Sequence, residues 1–318
     1  MGPATQETLE RKNAALRQAM GPTLAAALAE PSVVEVMVNA DGAIWVERVG
    51  QGRTFSGERM ARADAERILR LVADHVGEVV TRDHPLISAT LPQSGERFQG
   101  VFPPICVAPC FSIRKRPEAI FTLQDYVDQA IMTSGQARIL AQAAADRENI
   151  LIAGGTGAGK TTLANAILAL PAYHGDRMIL IEDTSELQCS ARDQLNLLTK
   201  RTDPPVTMAD LVRAALRLRP DRIVIGEVRD GSALDMLKAW NTGHPGGLAT
   251  LHANSAREAL SRLEDLISEV SRTVPYRAIG QAIGVVAFIR RAPAGRVLES
   301  IVRVKGWSGG DYDVAALL

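Results

Sequence analysis

The sequence predicts an α/β protein in two parts: a C-terminal phosphate-loop domain with a mostly parallel sheet, preceded by a smaller α+β domain. Three observations predict it. A glycine-rich run, GGTGAGKTT at 154–162, follows an apolar stretch and opens a helical one. Short apolar runs then alternate with helical patterns as far as residue 251, as in parallel strands covered on both faces. Before residue 117 the pattern is instead β-rich, with turn signals and one amphipathic helix.

The 318 residues suffice for two domains, and a hydrophobic fraction of 46% supplies a sizeable core. Lys plus Arg (36) balances Asp plus Glu (36), so net charge argues neither for nor against nucleic acid or a membrane surface. Cys106, Cys110 and Cys189 are odd in number and lack C-x-x-C spacing. They read as free thiols of a reducing compartment, without a disulfide framework or a zinc module. No run of 18 apolar residues spans a membrane. The N-terminus lacks a signal peptide's apolar region, and Gln6 stands where myristoylation of Gly2 favours Ser or Thr. The chain reads as cytoplasmic.

An amphipathic helix is expected at about 5–29, its apolar side packing on its own domain or a neighbour. Val33–Asn39 and Ala43–Val49 read as strands of a hairpin, because an Asp41-Gly42 step separates two β-branched runs. Residues 62–76 place Ile68, Leu69, Val72 and Val76 on one helical face. Strands follow at Arg97–Phe102 and Cys110–Arg114, separated by Pro103, Pro104 and Pro109. The first domain ends at 117, and residues 118–134 read as a linker with partial helical character.

The second domain, 135–318, begins with a helix at 136–147 and the apolar strand Asn149–Ala153. The glycine loop and its helix, to Leu170, lead to a strand at Met178–Ile181. A helix at 208–218 precedes the strand Arg222–Ile225, and a helix at 232–241 precedes the strand Gly247–Leu251.

Gly154, Gly155, Thr156, Gly157, Ala158, Gly159, Lys160, Thr161 and Thr162 match the full G-x-x-x-x-G-K-[ST] nucleotide pattern. Its glycines let backbone N–H groups turn inward on phosphate oxygens, and the following helix adds the positive end of its dipole. Lys160 is expected on the β- and γ-phosphates and Thr161 on Mg2+, so ATP and Mg2+ are the implied ligands.

Such a loop needs carboxylates for the metal or the attacking water. Two strands end in them: Met178–Ile181 in Glu182-Asp183 and Arg222–Ile225 in Gly226-Glu227. In a parallel sheet both ends lie at the loop's edge. Glu227 is the candidate general base, and Glu182 and Asp183 are candidates to order Mg2+-bound waters, as is Glu227. His252 also follows a strand, with Ser255 as a helix N-cap. A lone histidine is more often structural, but this position makes it a candidate sensor of the γ-phosphate.

Residues 207–263 resemble the secretion and pilus ATPase superfamily, and more closely the conjugal-transfer TrbB-type ATPases of type IV secretion. Four motifs stand in that family's order: the phosphate loop (154–162), IEDTSEL (181–187), IVIGEVRD (223–230) and a histidine box (247–263). The resemblance covers nearly the whole chain. It implies a RecA-like C-terminal domain, a homo-hexameric ring and ATP held between the two domains. It also implies that Arg97, in the stretch 92–97, and Arg114, in 111–114, approach the phosphates. The residues alone suggest only a solvated cluster of Arg114, Lys115 and Arg116. The implied partners are inner-membrane components of a conjugation apparatus. Peripheral membrane association and direct DNA binding stay open. No cysteine follows Cys189, which sets the chain apart from type II secretion members with a four-cysteine zinc module. His244, in a shared TGH element, is expected to be structural.

Two other readings compete with a secretion motor. A DNA-driven translocase finds little support in 4% aromatic residues and a neutral balance. An ATP-gated scaffold that scarcely turns over sits poorly with a carboxylate at Glu227.

Overall fold

The structure is a computed structural model that describes residues 3–49, 51–91, 94–115, 120–200, 203–293 and 295–317, with side chains from residue 10. It divides into two compact units, Met1–Glu118 and Ala119–Leu318.

The first unit opens with α1 (Pro3–Ala29), which breaks its helical course at Gly21, just before Pro22. Its apolar stripe, Leu16, Met20, Leu24 and Ala27, is buried in the unit's own core. Then come β1 (Val33–Val38), β2 (Ala43–Arg48), β3 (Gly52–Arg59), α2 (Arg62–His75), β4 (Leu86–Thr90), β5 (Arg97–Val101) and β6 (Cys110–Arg114). The sheet order is β3-β2-β1-β6-β5-β4, every pairing antiparallel. The hairpin turn expected at Asp41-Gly42 is present. Gly42 has φ +83°, and a Cβ there would fall 2.4 Å from the Met60 carbonyl oxygen. On α2, Ile68, Leu69 and Val72 are fully buried, whereas Val76 caps the helix and is 37% exposed. The helix ends one residue too early for Val76 to share that face.

In the second unit, α3 (Leu123–Asp128) and α4 (Ser134–Ala145) precede β7 (Ile150–Ala153) and α5 (Lys160–Leu168). Next come β8 (Arg177–Glu182), β9 (Asp193–Leu198), α6 (Met208–Ala215), β10 (Arg222–Val228), α7 (Ser232–Asn241) and β11 (Leu248–Leu251). The chain closes with α8 (Glu258–Ser268), α9 (Tyr276–Ala282), β12 (Val285–Ala292), β13 (Gly295–Ser308) and β14 (Asp311–Ala316). The stretch expected as a linker carries α3 and belongs to this unit, where Leu123, Tyr126 and Met132 are buried. The expected boundary at 117/118 lies outside the described residues. Thr133 sets the start of α4 with a capping box, its Oγ1 accepting from Gln136 N at 3.1 Å.

The sheet order is β14-β13-β12-β7-β11-β10-β8-β9. Pairings from β12 through β9 are parallel, and the β12–β13–β14 meander is antiparallel. Every residue of β7 is fully buried, as expected of a short apolar strand with helices on both faces. The fold is therefore the expected α/β class with a largely parallel second sheet. Among the described residues no helix is long and apolar enough to cross a membrane.

Candidate nucleotide site

The glycine loop joins β7 to α5 at the C-terminal edge of the parallel strands. Gly157 (φ +67°) and Gly159 (φ +96°) occupy the left-handed region that L side chains rarely adopt. Gly154 has a different constraint. A Cβ there would fall 2.2 Å from the carbonyl oxygen of Ile289 on β12. The loop thus enters between two neighbouring strands, and Gly154 N also donates to Leu251 O of β11 at 3.2 Å.

Lys160, only 7% exposed, folds its ammonium back over the loop. Its Nζ donates to Gly154 O (3.1 Å) and Gly155 O (3.2 Å). The same nitrogen lies 3.4 Å from Nδ1 and 3.3 Å from Nε2 of His252, near-equal distances that set it over the ring. Glu227 Oε1 is 3.8 Å from Nζ and 2.6 Å from His252 Nε2.

Glu227 owes its aim to a bulge. The β10–β11 register runs Ile225 to Ala249 and then Val228 to Leu251, so β10 carries one extra residue at Gly226-Glu227. Thr250 Oγ1 pins it by donating to Gly226 O at 2.6 Å. Arg229 holds the other carboxylate oxygen, its Nε donating to Glu227 Oε2 at 2.5 Å, and its Nη1 stands 3.6 Å from Asp183 Oδ2. Thr199 Oγ1 donates to Asp183 Oδ1 at 2.8 Å.

Glu182 is set differently from Asp183. It is 2% exposed, and its Oε1 accepts from the backbone N–H of Glu186 and of Leu187, both at 2.8 Å. That oxygen organises the 183–187 loop. Gly226 makes room for it, since a Cβ there would meet Glu182 Cγ at 3.0 Å.

His252 follows β11 directly. Burial, followed by the charge of Lys160, lowers its pKa below the ordinary imidazole value, while Glu227 pulls the other way. A neutral imidazole beside a carboxylate carries its proton on Nε2 and donates it to Glu227. Ser255 Oγ accepts from Glu258 N at 3.0 Å, but the N-cap of α8 is Arg257 rather than the expected Ser255, which stands two residues earlier in the preceding turn.

The site thus brings Lys160, Glu227, His252, Asp183 and Glu182 to one edge of one sheet, around the loop. Thr161 and Thr162 lie in the first turn of α5. The arrangement fits a polyphosphate: N–H groups of a left-handed loop, a helix N-terminus and a buried ammonium converge. Among the described residues no group of three or more His, Cys, Asp or Glu converges as a metal cage.

Arg97 and Arg114 belong to the first unit, where they are direct partners across the β5–β6 ladder. Arg114 also pairs in register with Glu35 of β1. Pro92, Gln93 and Arg116 lie outside the described residues.

Sequence reasoning missed Arg229 and Thr199. Arg229 directly follows β10, and only the folded chain sets its guanidinium against Glu227 and Asp183.

Comparison with known proteins gives consistent relatives. The model of the family described as type II/IV secretion system protein matches residues 19–292. The chain is 44% identical over 301 residues to the probable conjugal transfer protein TrbB of Sinorhizobium fredii, covering 94% of this chain and 91% of that protein. It is 35% identical over 265 residues to the type IV secretion system protein PtlH homolog of Bordetella bronchiseptica, covering 74% and 77%. Among solved structures, the Legionella pneumophila ATPase DotB aligns with a TM-score of 0.61 at 20% identity, covering 88% of this chain and 78% of that one. The pilus retraction motor PilT with bound ADP aligns at 0.59 and 20%, covering 92% and 80%. At that identity these two structures speak for the fold alone.

Proposed function

We propose, from the premise that this chain belongs to the type II/IV secretion system protein family, that it hydrolyses Mg-ATP to power type IV secretion. The work done would be conjugative DNA transfer, pilus assembly or both. One observation carries the reading: Lys160, Glu227 and His252 meet within hydrogen-bond or ion-pair distance beside a phosphate loop at one sheet edge.

Each side chain has a task in that reading. Lys160 exchanges the carbonyls of Gly154 and Gly155 for β- and γ-phosphate oxygens. The backbone of Gly154–Gly159 surrounds the phosphates, with Thr161 and Thr162 at the helix start. Glu227, aimed by the bulge, orients the attacking water and accepts its proton. His252, neutral and hydrogen-bonded to Glu227, senses whether a γ-phosphate is present. Thr161 would hold Mg2+ directly, with Asp183, Glu182 and Glu227 reaching its waters, and there the ion supplies positive charge against the phosphate oxygens. The capping duty of Glu182 Oε1 favours Asp183 for that contact.

The proposal extends to Arg97 and Arg114. We infer their role as phosphate contacts from the family resemblance of the stretches 92–97 and 111–114. The working form is a cytoplasmic homo-hexamer that docks on inner-membrane components of the apparatus.

The test is complementation of conjugation in a donor strain lacking the protein. Wild type restores transfer and Lys160→Ala does not. Lys160→Ala that restores transfer overturns the motor reading. Particle mass with and without a non-hydrolysable ATP checks the ring, and a monomer under both conditions removes it.

A further inference from the structure

The reacting end of a nucleotide must lie where Glu227, His252 and Lys160 meet. These side chains come from β10, the end of β11 and the loop itself, all on one side of β7 in the strand order. On the proposed function, the nucleoside end of a nucleotide then extends to the other side of β7, toward β12 and β13. The residue waiting there is Arg291.

Several observations place it. β12 is the parallel neighbour of β7, so its end lies at the same edge as the loop. Arg291 pairs in register with Arg296 across the β12–β13 hairpin, so both side chains stand on one face. Arg290 points the other way and pairs with Glu299. Arg291 Nε donates to Gly157 O at 3.1 Å, so the side chain lies against the loop. A Cβ on Gly157 would fall 2.4 Å from Arg291 Nη2, so this glycine leaves room for a guanidinium as well as for its own positive φ. Arg296 lies along Gly159, where a Cβ would meet its Cδ at 3.1 Å. The hairpin is firmly rooted. Leu298 is buried, its N–H donates to Ile131 O at 2.8 Å, and its carbonyl accepts from Gln136 Nε2 at 3.0 Å.

We propose that Arg291 is a nucleobase-binding residue: tethered through Nε to Gly157, it lays its guanidinium plane on the base of the nucleotide held by the loop. The chemistry suits the position. A guanidinium is planar and weakly hydrated and stacks on aromatic faces, and its remaining N–H groups stay available at the edge. Arg296, of like charge and directly opposite, keeps Arg291 turned toward the loop rather than back along the hairpin. Stacking reads the face of a base and not its edge, so Arg291 supplies affinity without choosing between adenine and guanine.

This inference rests on the nucleotide reading of the loop, and the experiment separates the two. Binding of ADP, GDP and inorganic tripolyphosphate, each with Mg2+, is measured by calorimetry on the full chain as wild type, Arg291→Ala and Arg291→Lys. Arg291→Ala is expected to weaken ADP and GDP about tenfold alike and to leave tripolyphosphate within about twofold of wild type. Arg291→Lys, which keeps the charge and a donor but not the plane, is expected to stay closer to the alanine variant than to wild type. Unchanged ADP affinity in Arg291→Ala overturns the proposal. Equal loss for ADP and tripolyphosphate also overturns it, since the arginine would then only brace the loop. Wild type that binds neither ligand overturns the nucleotide reading itself.

Discussion

Glu227 Oε1 lies 2.6 Å from His252 Nε2, and the Lys160 ammonium lies 3.8 Å from the same carboxylate oxygen. A carboxylate, an imidazole and an ammonium thus share one corner beside the phosphate loop. Arg229 closes it from the other side through Glu227 Oε2.

His252 gives this corner a pH signature. Its folded-state pKa lies below the unfolded value, from burial first and Lys160 second. Protonation therefore favours the unfolded chain. The stability at stake is fully present above about pH 6.5 and is lost as pH falls through the lower folded value. The melting temperature of wild type relative to His252→Gln is expected to fall between about pH 7.5 and about pH 5.5. A difference that does not change with pH contradicts this.

The two leading glycines of the loop should behave differently. Gly154→Ala drives a Cβ to 2.2 Å from the Ile289 carbonyl, a backbone atom that cannot swing away. Gly155→Ala meets nothing within 4 Å and sits at an ordinary φ. Urea unfolding should show a loss of about 1–3 kcal/mol for Gly154→Ala. The loss for Gly155→Ala should be below about 0.5 kcal/mol. Equal losses would mean that β12 does not confine the loop as described.

Arg222, 2% exposed, ties the far edge of the sheet together. Its guanidinium donates to Asp176 (2.5 Å), Ala144 O (2.8 Å) and Ala172 O (3.0 Å), and lies 4.5 Å from the Tyr173 ring centre. Arg222→Met leaves those acceptors buried and removes one partner of Asp176, which keeps Arg147 at 3.0 Å. The expected cost in chemical unfolding is about 3 kcal/mol. A change near zero would mean that Arg147 and water replace the whole network.

Much of this was legible in the sequence because it was local. The loop, Asp183 and His252 each follow a short apolar strand, Glu227 stands near the end of another, and parallel pairing alone brings strand ends to one edge. What escaped notice depended on pairing at a distance. β3 has all eight residues exposed and shows no apolar alternation, so nothing in Gly52–Arg59 marks it as a strand except its ladder to β2. β9 is another edge strand whose alternation leaves no residue fully buried. Arg291 joined the site only because β12 inserts beside β7 from 135 residues further along the chain, a separation read from Ile150↔Val285. Arg97 and Arg114 show the reverse case. The family supplied their role, and the structure adds only that they face each other across β5 and β6.

Single-turnover hydrolysis of ATP by wild type and Glu227→Gln decides whether Glu227 is the base. Both proteins are expected to bind Mg-ATP with similar affinity, and the variant to cleave it about 10²–10⁴ times more slowly. Equal cleavage rates would contradict this and remove Glu227 from the chemistry.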